Sequence, residues 1–211
     1  QPTSDATLLL LPPEGPPRRL NAAVQGDEAK ARITIETEGT WLVQLMATQS
    51  GGPRPVAQVL ITADDKPPNA PDERPVVGED ALDQKASPPD ALFGLINAAR
   101  EEQGLEPVRR SRKLDRVAQA HAQAMADMGR ISHDTGAGDP NRRVAAAGLE
   151  PKAAGENVAR GGSVVRLHRV LWNSPAHREN MLLRRWDEVG VAVVRDKNGA
   201  LFATEIFIDS D

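Results

Sequence analysis

The spacing of apolar residues changes across one segment, and that change most constrains what the chain can fold into. Residues 64–89, DDKPPNAPDERPVVGEDALDQKASPP, hold six prolines and ten charges with few large apolar side chains. Such a stretch buries too little surface to offset the entropy of ordering it, so it reads as a linker. Its prolines fix φ and push the preceding residues toward extended backbone, which predicts a semi-rigid spacer or a strap lying on a neighbouring domain. On either side of it the hydrophobic pattern obeys a different rule.

Before the linker the period is two. Ile33 and Ile35, then Trp41, Val43 and Leu45, then Val56, Val59 and Ile61 alternate with polar residues, and the breaks EGT and SGGPRP carry turn residues. With ATLLLLP as a further strand, residues 1–63 predict a small all-β accessory domain. Sixty-three residues make a marginal core, so the sheet is expected to pack on the C-terminal region.

After the linker the period is that of helices. Leu92, Leu95, Ile96 and Ala99 form one stripe, behind Pro88 and Pro89 and ahead of Gly104. Leu114, Val117, Ala118, His121, Ala122, Met125 and Met128 form a second, closed by Gly129. DPNRRVAAAGL predicts a short third helix, and SVVRLHRVLWNSPAHRENML predicts one or two more, broken at Pro175. The end of the chain alternates again through Val189, Val191 and Val193, turns at KNG and returns through Leu201 and Ala203, a β-hairpin. GENVA adds a short extended piece. The class is α+β, with helices covering an antiparallel sheet.

Composition removes several functions. There is no cysteine, so disulfides, thiolate metal sites and thiol nucleophiles are excluded. Residues 90–211 carry eighteen basic and seventeen acidic side chains, without the basic bias of a nucleic-acid binder. No apolar run is long enough for a transmembrane segment. The chain begins at Gln1, which fits a start exposed by removal of a signal peptide.

Chemistry can rest on few residues. His121 lies in an apolar helical stripe and reads as a buried, hydrogen-bonded imidazole. His168, between Arg166 and Arg169, reads as partly exposed and without a role. His133, in RISHDTG, follows a helix end and precedes a Gly-rich loop, where functional groups concentrate. Glu156 is a lone carboxylate in a small, apolar extended segment; buried there it needs a partner, for which a histidine is natural. His177 stands at a helix start, where the dipole disfavours imidazolium. Two neutral imidazoles and a carboxylate suit Zn²⁺ or a similar ion. The separations of 23 and 21 residues do not bring the three together by themselves. Each also has a structural reading: a loop histidine in solvent, a glutamate paired with arginine, a histidine satisfying a helix start.

LINAAREEQGL, AQAHAQAMADMGRISHD, GENVARG, LWNSPAHRENML, EVGVAVVRD and LFATEIF together resemble, in order and spacing, the CAP superfamily of cysteine-rich secretory proteins, antigen 5 and pathogenesis-related proteins, in its short bacterial form. The resemblance spans about residues 90–208. It implies an α-β-α sandwich and a cleft where two histidines and two glutamates meet a divalent cation, Zn²⁺ or Mg²⁺. His133, Glu156 and His177 match three of those positions; the fourth falls on Pro175, and Glu179 or Glu205 could replace it only by pointing inward. The resemblance further implies a location outside the cell or in its envelope, and binding of a lipid, an envelope component or a protein partner by a monomer. The alternative is a divalent-metal-dependent hydrolase of peptidase or esterase type.

Overall fold

A computed structural model of the chain describes residues 6–26, 28–49, 52–63, 75–83 and 85–210. They form two compact units, Gln1–Glu73 with Asn173–Glu179, and Arg74–Trp172 with Asn180–Asp211. Much of the linker, residues 64–74, lies outside the described residues.

The first unit is built on a five-stranded antiparallel sheet ordered β3-β2-β1-β4-β5. Its strands are β1 (Ala6–Leu11), β2 (Arg18–Gln25), β3 (Glu28–Lys30), β4 (Thr40–Gln49) and β5 (Gly52–Thr62). The register opposes Leu8 to Leu45 and Leu10 to Val43, so alternation sorts the apolar residues onto two faces. Leu10, Trp41 and Val43 fill one face, with Leu8, Leu20, Ile33, Ile35 and Ile61 packed against them. Ile33 and Ile35 were expected in a strand, but residues 31–36 form no ladder. They cover the sheet instead, and the indole N–H of Trp41 donates to Thr37 O at 3.0 Å. The strand that takes their place is β2, whose side chains are largely exposed. Leu9, Leu11, Leu42, Gln44 and Met46 are buried on the opposite face.

The second unit is an α-β-α sandwich. Its sheet is ordered β6-β8-β9-β7, comprising β6 (Arg109–Arg110), β7 (Ala153–Gly161), β8 (Glu188–Arg195) and β9 (Leu201–Asp209). All neighbours are antiparallel except β6, which runs parallel to β8. Its helices are α1 (Pro88–Glu102), α2 (Arg112–Met128), α3 (Pro140–Ala146) and α4 (Val164–Trp172). Alternation along β8 and β9 splits the core. Val189, Val191, Leu201, Ala203 and Phe207 meet α1 and α4 through Leu92, Ile96, Leu167 and Leu171. Ala192, Val194, Phe202, Ile206 and Ile208 meet α2 and α3 through Leu114, Ala118, Met125 and Val144. β9 has neighbours on both edges and helices on both faces, and every residue from Leu201 to Ile208 is buried. Each large apolar side chain so covered contributes about 1.5–3 kcal/mol before entropy is subtracted.

Two charged side chains tie irregular segments to this core. Arg100, 1% exposed, donates to the carbonyls of Glu106 (3.0 Å), Met181 (2.8 Å), Leu183 (3.1 Å) and Trp186 (3.5 Å). Arg169 donates through Nε to Glu79 at 2.7 Å, and its guanidinium holds the Glu79 carboxyl below the usual range. Glu79 also accepts from Val76 N, so the end of the linker is a strap on this unit, with Val76 in the core. His168 departs from expectation. It is fully buried and stacks on Trp172 with ring centroids 6.2 Å apart, because it shares the inward face of α4 with Leu167, Leu171 and Trp172.

Candidate functional site

Glu156 lies on β7, an edge strand, on the α2–α3 face of the sheet with Ala154 and Val158. Its side chain is 1% exposed. Burial of a carboxylate demands partners, and they come from the loop after α2 and from α3. His133 Nδ1 lies 2.8 Å from Glu156 Oε1. A carboxylate only accepts, so the proton of this bond sits on Nδ1 and Nε2 is left as the acceptor of the neutral ring. The His133 side chain is 28% exposed, which places the imidazole at the border of protein and solvent. Arg143 NH2 donates to Glu156 Oε2. Arg143 NH1 donates to His133 O (2.8 Å) and Gly138 O (2.5 Å). One buried guanidinium therefore neutralises Glu156 and ties down the loop that carries His133.

His121 secures the same loop from below. Its Nε2 donates to Ser132 O at 2.8 Å, and its Nδ1 accepts from Thr135 Oγ1 at 3.2 Å. Desolvation lowers its pKa, against the opposing pull of the Glu156 charge 3.7 Å away. The buried, hydrogen-bonded imidazole expected at this position is what the geometry shows. In the loop, Ser132 Oγ donates to Asp134 O at 2.6 Å. Asp134 Oδ1 accepts from the amides of Gly136 (2.8 Å) and Gly138 (3.1 Å), which lowers its pKa.

The structure thus brings together His133 and Glu156. His177 lies in the first unit, on α5 (Pro175–Met181), whose last two residues return to the second unit. The two candidates for a fourth ligand are engaged elsewhere. Glu205 is paired with Asn157, one residue along β7, so it faces the α1–α4 layer, opposite to Glu156. Glu179 gives both oxygens to Arg19, at 3.0 and 2.7 Å.

A divalent cation can be tested against these contacts. His133 fits, with Nε2 directed away from its carboxylate partner. Glu156 does not fit as a direct ligand, because His133 holds one oxygen and Arg143 the other. Among the described residues no group of three or more His, Asp or Glu side chains is arranged to hold an ion.

Three residues were not singled out from sequence. Arg143 read only as part of a short third helix, although pairing of Glu156 with an arginine was among its structural readings. Asn157 and Asn180 stand beside the glutamate and histidine motifs. Asn157 Nδ2 donates to Glu205 Oε2 (3.0 Å), Asn180 Nδ2 donates to Asn157 Oδ1 (3.0 Å), and Trp186 Nε1 donates to Asn180 O (2.7 Å). Gly155 makes room for this chain: a Cβ there would lie 2.4 Å from Asn180 Oδ1 and 2.8 Å from the Trp186 ring.

The sandwich is the fold that the resemblance to CAP proteins implies, and the sequence match agrees. The model of the cysteine-rich secretory protein family (CAP) matches residues 93–207, more than half of the chain, and the protein belongs to that family. The uncharacterized protein YkwD of Bacillus subtilis is 34% identical over 116 residues, covering 54% of this chain and 44% of its own. The match therefore spans less than half of that relative. Among solved structures, an outer surface protein of Borrelia burgdorferi has a TM-score of 0.56 at 20% identity, over 62% of this chain and 97% of that one. An extracellular SCP-domain protein of Bacillus anthracis has a TM-score of 0.54 at 21% identity, over 83% and 66% respectively. A cysteine-rich secretory protein of Staphylococcus aureus has a TM-score of 0.50 at 18% identity, over 91% and 62%. These likenesses establish the fold. No helix among the described residues is long and apolar enough to cross a membrane.

Proposed function

We propose that the chain is an exported binding module, working in the cell envelope or outside the cell, that presents His133 to a lipid, envelope component or protein partner. The observation that carries this reading is the state of the groups around His133. A histidine backed by a buried carboxylate has the form of a general base, but such a base needs a nucleophile. The hydroxyl groups of its own loop are committed, Ser132 to Asp134 O and Thr135 to His121. With both hydroxyls engaged, the oriented imidazole is suited to accepting a hydrogen bond or to ligating a cation through Nε2, and water is left as the nucleophile of the hydrolase alternative. Export is supported by the names of the structural neighbours, an outer surface protein and an extracellular protein.

The expected divalent cation enters this reading through His133, with Glu156 acting behind the imidazole as the carboxylate that fixes its tautomer. The family resemblance also implies His177 as a ligand, and His177→Ala is carried through the same titration as His133→Ala. Zinc titration of the full chain distinguishes the roles. His133→Ala is expected to abolish uptake, and Glu156→Gln to weaken it about ten- to a hundredfold, the usual cost of losing an orienting partner. Zinc-dependent turnover of peptide or ester substrates, lost in His133→Ala, would establish the hydrolase alternative instead.

A further inference from the structure

The compact unit formed by the N-terminal sheet contains a segment from far along the chain, Asn173–Glu179. We propose that the sheet is an intramolecular clamp that sets the conformation of this segment, His177 included.

The helix in question, α5, has seven residues, far below the length at which a helix holds itself together in water. Its order must come from contacts, and the sheet supplies them from three places. Gln44, 4% exposed at the centre of β4, accepts at Oε1 from Ala176 N (3.2 Å) and donates through Nε2 to Ser174 Oγ (3.5 Å). A strand side chain thereby satisfies a first-turn amide that the helix cannot satisfy itself. Gln44 is held in place by Gln58 Oε1, to which Nε2 also donates at 2.9 Å. At the far end of the segment, Arg19 on β2 grips Glu179 through two parallel N–H···O bonds. Between them Arg178 NH1 donates to Gly15 O at 3.2 Å, in the β1–β2 turn. Polar side chains on a sheet face that otherwise buries Leu9, Leu11, Leu42 and Met46 cost stability unless they are matched. Here the match is the helix segment. The role of the accessory domain follows: it holds a histidine-bearing segment of the CAP sequence, and anything that loosens the sheet loosens that segment.

Hydrogen exchange of the full chain, read by mass spectrometry, tests the clamp. In Gln44→Leu the amides of residues 176–179 are expected to exchange about tenfold faster, while α4 and β9 keep their protection. Arg19→Ala and Glu179→Ala, at more exposed positions, should each give a rise of roughly two- to fivefold. Their double variant should give no more than either alone, and the swap Arg19→Glu with Glu179→Arg should restore protection. Reaction of His177 with diethyl pyrocarbonate should accelerate in parallel. Unchanged exchange at 176–179 in both Gln44→Leu and Arg19→Ala overturns the proposal, as does a variant that unfolds the sheet yet leaves the segment protected.

Discussion

Gly190→Ala is expected to be the most damaging single substitution in the CAP sandwich. Gly190 lies on β8, opposite Ile206 of β9, on the face that receives α2. A Cβ added there would sit 2.3 Å from the backbone carbon of Leu114 and 2.6 Å from its oxygen. The obstacle is helix backbone, so no rotamer change relieves it. Moving α2 outward would also pull Asp115 from the amide of Val191, which donates to it at 2.8 Å, and open the packing of Leu114, Ala118 and Met125. Overpacking alone costs about 1–3 kcal/mol, and the lost contacts bring the expected total to roughly 3–5 kcal/mol, a large part of a typical domain's stability. Gly94→Ala supplies the control. Gly94 is an exposed position inside α1 with no atom within 4 Å of an added Cβ, and the change should stabilise by about 0.5–1 kcal/mol. Urea denaturation of both variants checks the pair; equal midpoints would show that α2 does not seat on Gly190 as described.

The second large effect concerns pH. Glu205 is fully buried on β9, and burial pushes its carboxyl up to about 8, only partly offset by the hydrogen bond from Asn157. The unfolded reference is 4.5. Between those values the folded chain keeps a proton that the unfolded chain has lost. This group's favourable contribution is therefore complete below pH 4.5, declines as pH rises through the window, and becomes a constant penalty above about 8. Each pH unit in the window is worth up to about 1.4 kcal/mol. Glu205→Gln keeps an acceptor for Asn157 and removes the titration. The variant is expected to exceed the parent in stability by a few kcal/mol at pH 8, with a difference that shrinks as pH is lowered to 5. Denaturation curves at pH 5, 6.5 and 8 measure this, and parallel pH profiles for parent and variant would contradict it.

The terminal hairpin was legible in the sequence because its alternation and its KNG turn specify one register. Helices α1 and α2 were legible because their apolar stripes are long and bounded by proline and glycine. β2 escaped notice because an exposed strand needs no apolar alternation, and RRLNAAVQ shows little. Ile33 and Ile35 misled in the opposite sense, since an extended segment that covers a sheet needs the same apolar spacing as one that joins it. Local sequence records which side chains seek burial and not which backbone supplies the hydrogen bonds. The burial of His168 was hidden because its flanking arginines suggested an exposed face, whereas it lies on the inward face of α4 and Arg169 is paired with Glu79, ninety residues away.

At the site, the pairing of His133 with Glu156 was legible from the cost of an isolated buried carboxylate. The part of Arg143 was not. Arg142 and Arg143 look alike in the sequence, and only the packing of α3 on β7 turns Arg143 inward, leaving Arg142 exposed. The role of Gln44 was still harder to read. Its position in β4 reports a polar side chain between apolar neighbours, with nothing to show that the matching groups arrive 130 residues later.

The composition of the first unit also bears on how the protein can be divided. A cut in the proline-rich stretch looks clean from the sequence, since it separates the two hydrophobic periods and leaves the CAP match whole. Excision there would strand residues 173–179 without Gln44 and Arg19, and would leave the sheet with an unfilled polar notch on an apolar face. Neither half would be a faithful copy of its part in the intact molecule. Ligand binding measured on an isolated CAP fragment would report a protein whose His177 segment has lost its support.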